Sequence, residues 1–185
     1  MSARLFAALD LPVPVRDALG AFGRAAAEDD FALRAVGEDA LHVTLAFLGH
    51  RPLDEIEPAR EAVRAAAAVA SEPGSLELSL GEPLWLAPRR PHVLTVEVLD
   101  GSGGLLFVLQ ERVVAALVDA VGYEPERRRF RPHVTVARVR HGARPRMRGL
   151  PEAPKASFAG AAVTLYRSYL GGGPARYEPL ERVSL

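Results

Sequence analysis

With no cysteine in the chain, five histidines are the side chains that change charge most readily near neutral pH. Two of them recur in the same setting. His42-Val43-Thr44-Leu45-Ala46 matches His133-Val134-Thr135-Val136-Ala137: histidine, apolar, threonine, apolar, alanine. The copies lie 91 positions apart, about half the chain. In a strand, residues two apart share a face. His42 then points with Thr44, and His133 with Thr135, while Val43, Leu45, Val134 and Val136 point into the core. A lone histidine at a strand start is usually structural. Two in matching contexts predict a pair of imidazole–hydroxyl units facing one another across a cleft.

Such a constellation suits phosphoryl chemistry. A neutral imidazole takes a proton from water, and a protonated one gives a proton to the leaving oxygen. Each transfer contributes about 10²–10⁴-fold. Threonine hydroxyls donate to the non-bridging oxygens, and arginine adds a planar donor pair. A metal is the competing use of two histidines. It would want a third ligand at near spacing, and the chain has neither HExxH nor HxH. Neither motif carries an acidic residue two positions along its own strand. GxSxG, GxGxxG and the phosphate-loop signature are absent too, so a serine triad and a nucleotide-cofactor fold lack support. His50, His92 and His141 sit in unmatched contexts and read as ordinary surface residues.

The elements that must position these residues are legible in outline. Strands are expected at residues 4–9, 41–48, 76–80, 93–99, 133–139, 158–170 and 177–183. Helices are expected at 15–27, 53–70 and 105–121. Pro12 and Pro14 open the first helix, Pro58 is tolerable near the start of the second, and Gly122 stops the third. Ser71-Glu72-Pro73-Gly74 and Gly171-Gly172-Gly173-Pro174 read as breaks. Residues 140–154 read as an exposed loop. The 185 residues fit one compact domain. No apolar run reaches the ~20 residues a membrane span needs. The short run at 5–9 is not read as a leader, so the expected location is cytoplasmic. Net charge is zero, yet residues 127–148 hold nine arginines and no carboxylate. That window is a local basic patch or a solvated arginine-rich face.

At the paired motifs the sequence resembles the 2H phosphoesterase superfamily, marked by two HxTx motifs, here at 42–45 and 133–136. It is most similar to the RNA 2′,3′-cyclic phosphodiesterases, historically called 2′-5′ RNA ligases. The resemblance runs almost end to end. It takes in Arg4-Leu5-Phe6-Ala7-Ala8-Leu9, the block from Leu41 to Gly49, the block from Arg129 to Arg138, and Ser168-Tyr169-Leu170, Gly173-Pro174 and Tyr177. Gly37-Glu38-Asp39-Ala40 departs from it, lacking the usual proline and asparagine.

The resemblance implies a single bilobal α+β domain over 1–185, LigT-like. Two antiparallel sheets related by a pseudo-twofold would line a central cleft, with helices outside. It implies His42 as proton donor to the leaving ribose oxygen and His133 as proton acceptor from water. Thr44, Thr135 and Arg138 would bind phosphate, and Phe47, placed like Arg138 after its histidine, would stack on a base or pack in the core. Arg138 stands five residues after His133, on the opposite face of a regular strand, so a bulge or strand end is required. The implied substrate is RNA with a 2′,3′-cyclic phosphate end and the product an RNA 2′-phosphate. The reverse reaction would join ends through a 2′,5′ linkage. No cofactor, metal, membrane or obligate protein partner is expected, and a monomer suffices. Two alternatives stay open: the same chemistry on small cyclic nucleotides such as ADP-ribose cyclic phosphate, and a non-catalytic RNA-end binder.

Overall fold

The computed structural model describes residues 1–70, 75–87, 89–169, 171 and 175–185. The break expected at 71–74, and Leu170, Gly172, Gly173 and Pro174 of the late segment, lie outside the described residues. Nine strands and three α-helices alternate along them: β1 (Ser2–Asp10), α1 (Val13–Asp29), β2 (Leu33–Ala35), β3 (His42–Pro52), α2 (Ile56–Ala67), β4 (Glu77–Leu86), β5 (Val93–Asp100), α3 (Leu105–Val121), β6 (His133–Val139), β7 (Ser157–Ala159), β8 (Ala162–Tyr169) and β9 (Arg176–Ser184). The class is α+β. Among the described residues no helix is long and apolar enough to cross a membrane.

Local chemistry accounts for the helices. α1 starts at Pro12 with Pro14 in its first turn and buries Val15, Leu19, Phe22 and Ala26, one stripe at helical spacing. α2 buries Ala59, Ala62, Val63 and Ala66. At the start of α3, Asp100 accepts from the backbone N–H of Ser102 at 2.8 Å and of Leu106 at 2.9 Å, supplying acceptors that the first turn lacks. α1 packs on β2 and β6, α2 on α3, β8 and β9, and α3 on β3. The helices thus cover one face of the sheet.

Every strand pairing among the described residues is antiparallel, and the main path runs β7-β4-β5-β6-β3-β1-β8-β9, with β2 attached beside β6. The two expected sheets are therefore joined edge to edge. Four strands lie on each side of the seam, and the strands that carry the two motifs meet there. One residue pair bridges the seam, Val43 with Val134, and both side chains are fully buried. Beyond this pair β3 and β6 part.

Four elements differ from the sequence reading. β3 runs on past residue 48, through Gly49, to Pro52. β2 is not among the expected strands; its three residues lie against Val139, Arg138 and Ala137 of β6. β4 continues past residue 80, through a register shift between Leu80 and Pro83, to Leu86. The single strand expected over 158–170 is two, on opposite sides of the molecule. β7 pairs with β4, and β8 pairs with β1. The break has a backbone cause: the Gly160 N–H donates to the Leu76 carbonyl, whereas the next amide, of Ala161, donates to the Asp10 carbonyl. A Cβ on Gly160 would stand 2.7 Å from Leu76 Cδ2 and 3.1 Å from Leu9 Cδ1, so both leucine side chains would have to shift to admit one.

Gly23 is the tightest contact between helix and motif strand. A Cβ there would lie 2.6 Å from the carbonyl oxygen of Val136, which the Val36 N–H already holds at 2.9 Å. That oxygen is backbone and has little freedom to yield. Gly23→Ala is expected to destabilise by about 1–2 kcal/mol in urea unfolding, overpacking exceeding the gain of up to ~1 kcal/mol in helix propensity. Gly37→Ala, with open space around the new Cβ, is expected to change stability by less than about 0.5 kcal/mol.

Candidate active site

Register arithmetic places the repeated motifs. Val43 pairs with Val134 across the seam in antiparallel sense. One residue further each way, His42 comes opposite Thr135, and Thr44 opposite His133. A local pseudo-twofold thus runs through the two valines and sets each imidazole beside the other motif's hydroxyl. All six residues singled out from the sequence, His42, Thr44, Phe47, His133, Thr135 and Arg138, line one cleft of about 680 Å³.

Arg138 and Phe47 reach that cleft because both motif strands bulge at the same place. In β6, Ala137 pairs with Leu94 and Thr135 with Thr95, so Val136 is the extra residue. In β3, Ala46 pairs with Ala7 and Thr44 with Ala8, so Leu45 is the extra residue. Each bulge puts two buried residues in succession, Leu45 with Ala46 and Val136 with Ala137. It then returns the fifth residue after the histidine to the histidine's own face. The bulged carbonyls stay satisfied: Gln110 Nε2 donates to that of Leu45 at 3.2 Å and the Val36 N–H to that of Val136 at 2.9 Å. Phe47 is exposed at the rim, not in the core, and the Arg4 guanidinium lies 4.6 Å from its ring centre.

The two imidazoles are held alike. Nδ1–H of His133 donates to the Arg131 carbonyl at 2.6 Å, so Nε2 is the ring nitrogen left to face the cleft chemistry. His42 bonds the Ala40 carbonyl, also two residues back. Their surroundings then diverge. His42 stacks on Phe6, with ring centres 4.9 Å apart, and meets the edge of Tyr177 at 5.5 Å. Burial in this box, reinforced by Arg138 and His133 nearby, lowers its pKa to about 4, although the Ala40 bond and Asp10 act the other way. The ring is therefore neutral at pH 7 in the empty cleft.

Several site residues escape the sequence reading. Arg4, Phe6 and Asp10 occupy alternate positions of β1, and a period-two scan would have shown Arg-x-Phe-x-Ala-x-Asp on one face. Tyr177 comes from β9. Acidic residues do lie beside the motifs, across the ladder: Asp10 pairs with His42 and Glu97 with His133. Asp10 accepts from Thr164 Oγ1 and Tyr166 Oη, each at 2.9 Å, and from Arg182 Nε at 3.1 Å. That network raises the Tyr166 pKa to about 12, by burial first and the Asp10 charge second. His50, His92 and His141 lie outside the cleft. Among the described residues no three His, Asp or Glu side chains gather as metal ligands would. What the cleft can do is move two protons in opposite senses at one bound anion, with hydroxyl and guanidinium donors around it.

Comparison with known proteins agrees with this geometry. Two relatives are each described as an RNA 2′,3′-cyclic phosphodiesterase. That of Aeropyrum pernix is 34% identical over 60% of this chain and 60% of its own length. That of Escherichia coli K12 is 32% identical over 98% of this chain and 96% of its own. The match thus spans 60% of the archaeal relative. Among solved structures, TT0787 of Thermus thermophilus superposes with a TM-score of 0.76 at 25% identity, covering 98% of this chain and 97% of that one. E. coli LigT complexed with 3′-AMP gives 0.69 at 27%, covering 100% and 99%. The family model described as "2′-5′ RNA ligase superfamily" matches residues 15–172, a span that holds both motif strands and both bulges, and the chain belongs to that superfamily.

Proposed function

We propose that this protein opens RNA 2′,3′-cyclic phosphate ends to 2′-phosphomonoesters by acid–base catalysis from two histidines, without a metal. The observation that carries the reading is the meeting of both imidazole–hydroxyl pairs and Arg138 in one cleft. His133, with Nε2 free, accepts a proton from water as the water oxygen attacks phosphorus. His42 gives a proton to the ribose 3′ oxygen as its bond to phosphorus breaks. Thr44, Thr135 and Arg138 hold the non-bridging oxygens, and Phe47 takes the terminal base. With an RNA 5′-hydroxyl in place of water, the same ring opening would form a 2′,5′ phosphodiester: the 5′ oxygen bonds phosphorus, the bond to the 3′ oxygen breaks, and the 3′ oxygen takes the proton, drawing on ring strain and not on ATP. In this reading residues 1–185 act as one bilobal domain, as a monomer, in the cytoplasm where such RNA ends arise. The names of the relatives support the substrate class.

A short RNA ending in a 2′,3′-cyclic phosphate, incubated with the protein in EDTA, is expected to yield the 2′-phosphate, identified by chromatography against 2′- and 3′-phosphate standards. Loss of turnover in EDTA with recovery in zinc would overturn the metal-free reading. Binding with no product under any condition would leave an RNA-end binder. His42→Asn and His133→Asn are each expected to lower kcat/KM by at least about 10²-fold.

The neutral state of His42 sets two pH-dependent outcomes. To act as an acid it must gain a proton, and a phosphate anion beside it supplies the field that favours one. Calorimetric titration of product in buffers of different ionisation enthalpy, near pH 7, is expected to show uptake of about one proton, lost in His42→Asn. No uptake would exchange the two histidine roles. For stability, the folded pKa of about 4 lies below the unfolded ~6.5. The unfolded chain therefore takes up the proton first as pH falls. Stability is lost from pH ~6.5 down to ~4, by up to about 3 kcal/mol. Urea unfolding at pH 7 and pH 4.5 is expected to show a smaller fall for His42→Asn than for the unsubstituted protein.

A further inference from the structure

Arg34 is the residue of β2 that no reading of the motifs singles out. It pairs in register with Arg138 across the β2–β6 ladder. Both side chains are exposed, and both line the cleft. Like charges directly opposite on one face of an antiparallel pair are destabilising. No carboxylate among the described residues forms an ion pair with either. The acids on that rim are Glu38 and Asp39. Glu38 is bound by Arg24 at 2.5 Å, and the fully exposed Asp39 faces Arg16 at 3.9 Å. Two arginines with no ion pair among the described residues thus stand in register at the cleft where the sheet splits. The strand that carries Arg34 is itself fastened by an arginine: Arg140 Nε donates to the carbonyls of Phe31 at 3.0 Å and Leu33 at 3.1 Å. In the arginine-rich window, then, Arg140 is structural, while Arg138 is aimed at the cleft.

We infer that Arg34 and Arg138 form a clamp for two successive phosphates of one RNA strand, Arg138 on the terminal cyclic phosphate and Arg34 on the phosphodiester before it. The inference rests on the phosphodiesterase reading and deepens it: the substrate is an oligoribonucleotide end, not a mononucleotide. Arg138 stands on the His133 strand, within electrostatic reach of His42. Arg34 stands across the ladder from it, on the edge of β6 that also carries the pairing to β3. Guanidinium forks match phosphate oxygens in pairs, and the bound anions relieve the repulsion that the empty clamp carries.

The test compares a short RNA ending in a 2′,3′-cyclic phosphate with the 2′,3′-cyclic mononucleotide of the same base. For Arg34→Gln the ratio of kcat/KM, oligonucleotide over mononucleotide, is expected to fall about tenfold. The slope of log kcat/KM against log salt on the oligonucleotide is expected to flatten by about 0.7, the change for one lost phosphate contact on a single strand. Arg144→Gln, an exposed arginine of the same window outside the cleft, is expected to change neither. The empty Arg34→Gln protein should melt no lower than the unsubstituted one, since a like-charge pair is gone. Equal losses on both substrates would place Arg34 on the scissile phosphate and overturn the clamp, as would no loss on either. If the unsubstituted protein turned over neither substrate, the phosphodiesterase reading would fail by itself. The clamp would then be judged on anisotropy of a fluorescent RNA bearing a 3′-phosphate. A slope flattened by Arg34→Gln would still support it, and an unchanged slope would overturn it.

Discussion

A single backbone pairing, Val43 against Val134, is the constraint on which the site depends. It joins two four-stranded halves, and its position fixes which residues face one another. Shifting that register by one residue would turn one histidine to the face opposite the other, since strand side chains alternate. Fully buried valines on both sides hold the register. On one side of the bridge β3 and β6 have no further pairing among the described residues. On the other, the chain between β2 and β3 leaves the β6 edge through Gly37 and a short 3₁₀ turn, Glu38–Ala40, before returning at His42. The cleft is the opening made by that excursion. Splitting the sheet exposes motif residues to a ligand without unpairing the strands that carry them.

The paired bulges solve a problem of parity. A regular strand would offer the cleft a histidine and a threonine, then a residue at the fourth position after the histidine, and would direct the fifth into the core. Each motif strand instead contributes its first, third and sixth residues, because one extra residue is accommodated after the threonine. Such a bulge leaves a carbonyl without its ladder partner, and buried carbonyls must be satisfied. Here Gln110 of α3 and the Val36 amide do so, and Gly23 lets α1 come close enough to support the second one. The irregularity is thus written into three other elements. Local rules broken at one point and compensated around it are what a functional site imposes on a fold.

How far the sequence is legible follows from the same physics. The motifs, the three helices and most strands rest on period and on local punctuation, so they can be read directly. β2 cannot. A three-residue edge strand has no period to detect, and it exists because Arg140, the Val36 amide and β6 hold it. Arg34 is invisible in the sequence for that reason, although Arg138 is not. The run at 158–170 fails differently. Its composition is uniformly strand-like, but two adjacent amides choose acceptors on opposite sides of the molecule. Phe6 and Asp10 lie on one face of β1 at alternate positions. They stay hidden because β1 is buried on both faces, so no polar–apolar alternation marks which face is the functional one.

Near-identical motifs in near-symmetric positions do not make equivalent histidines, and the flanking strands show why. Each ring bonds a carbonyl two residues back, and each has an acid opposite it in the adjacent strand. Neither acid is given over to its imidazole. Asp10 is taken up by Thr164, Tyr166 and Arg182, and the Glu97 side chain lies against Gly81. What separates the two is aromatic packing: β1 and β9 bring Phe6 and Tyr177 onto His42. Desolvation then outweighs the Ala40 bond and the Asp10 charge and keeps that ring neutral at pH 7. The asymmetry between the two rings is thus supplied by neighbouring strands, not by the motifs. In such a cleft the two rings differ before any ligand is considered: burial and Arg138 both disfavour a proton on His42, whereas the Ala40 bond and Asp10 favour one.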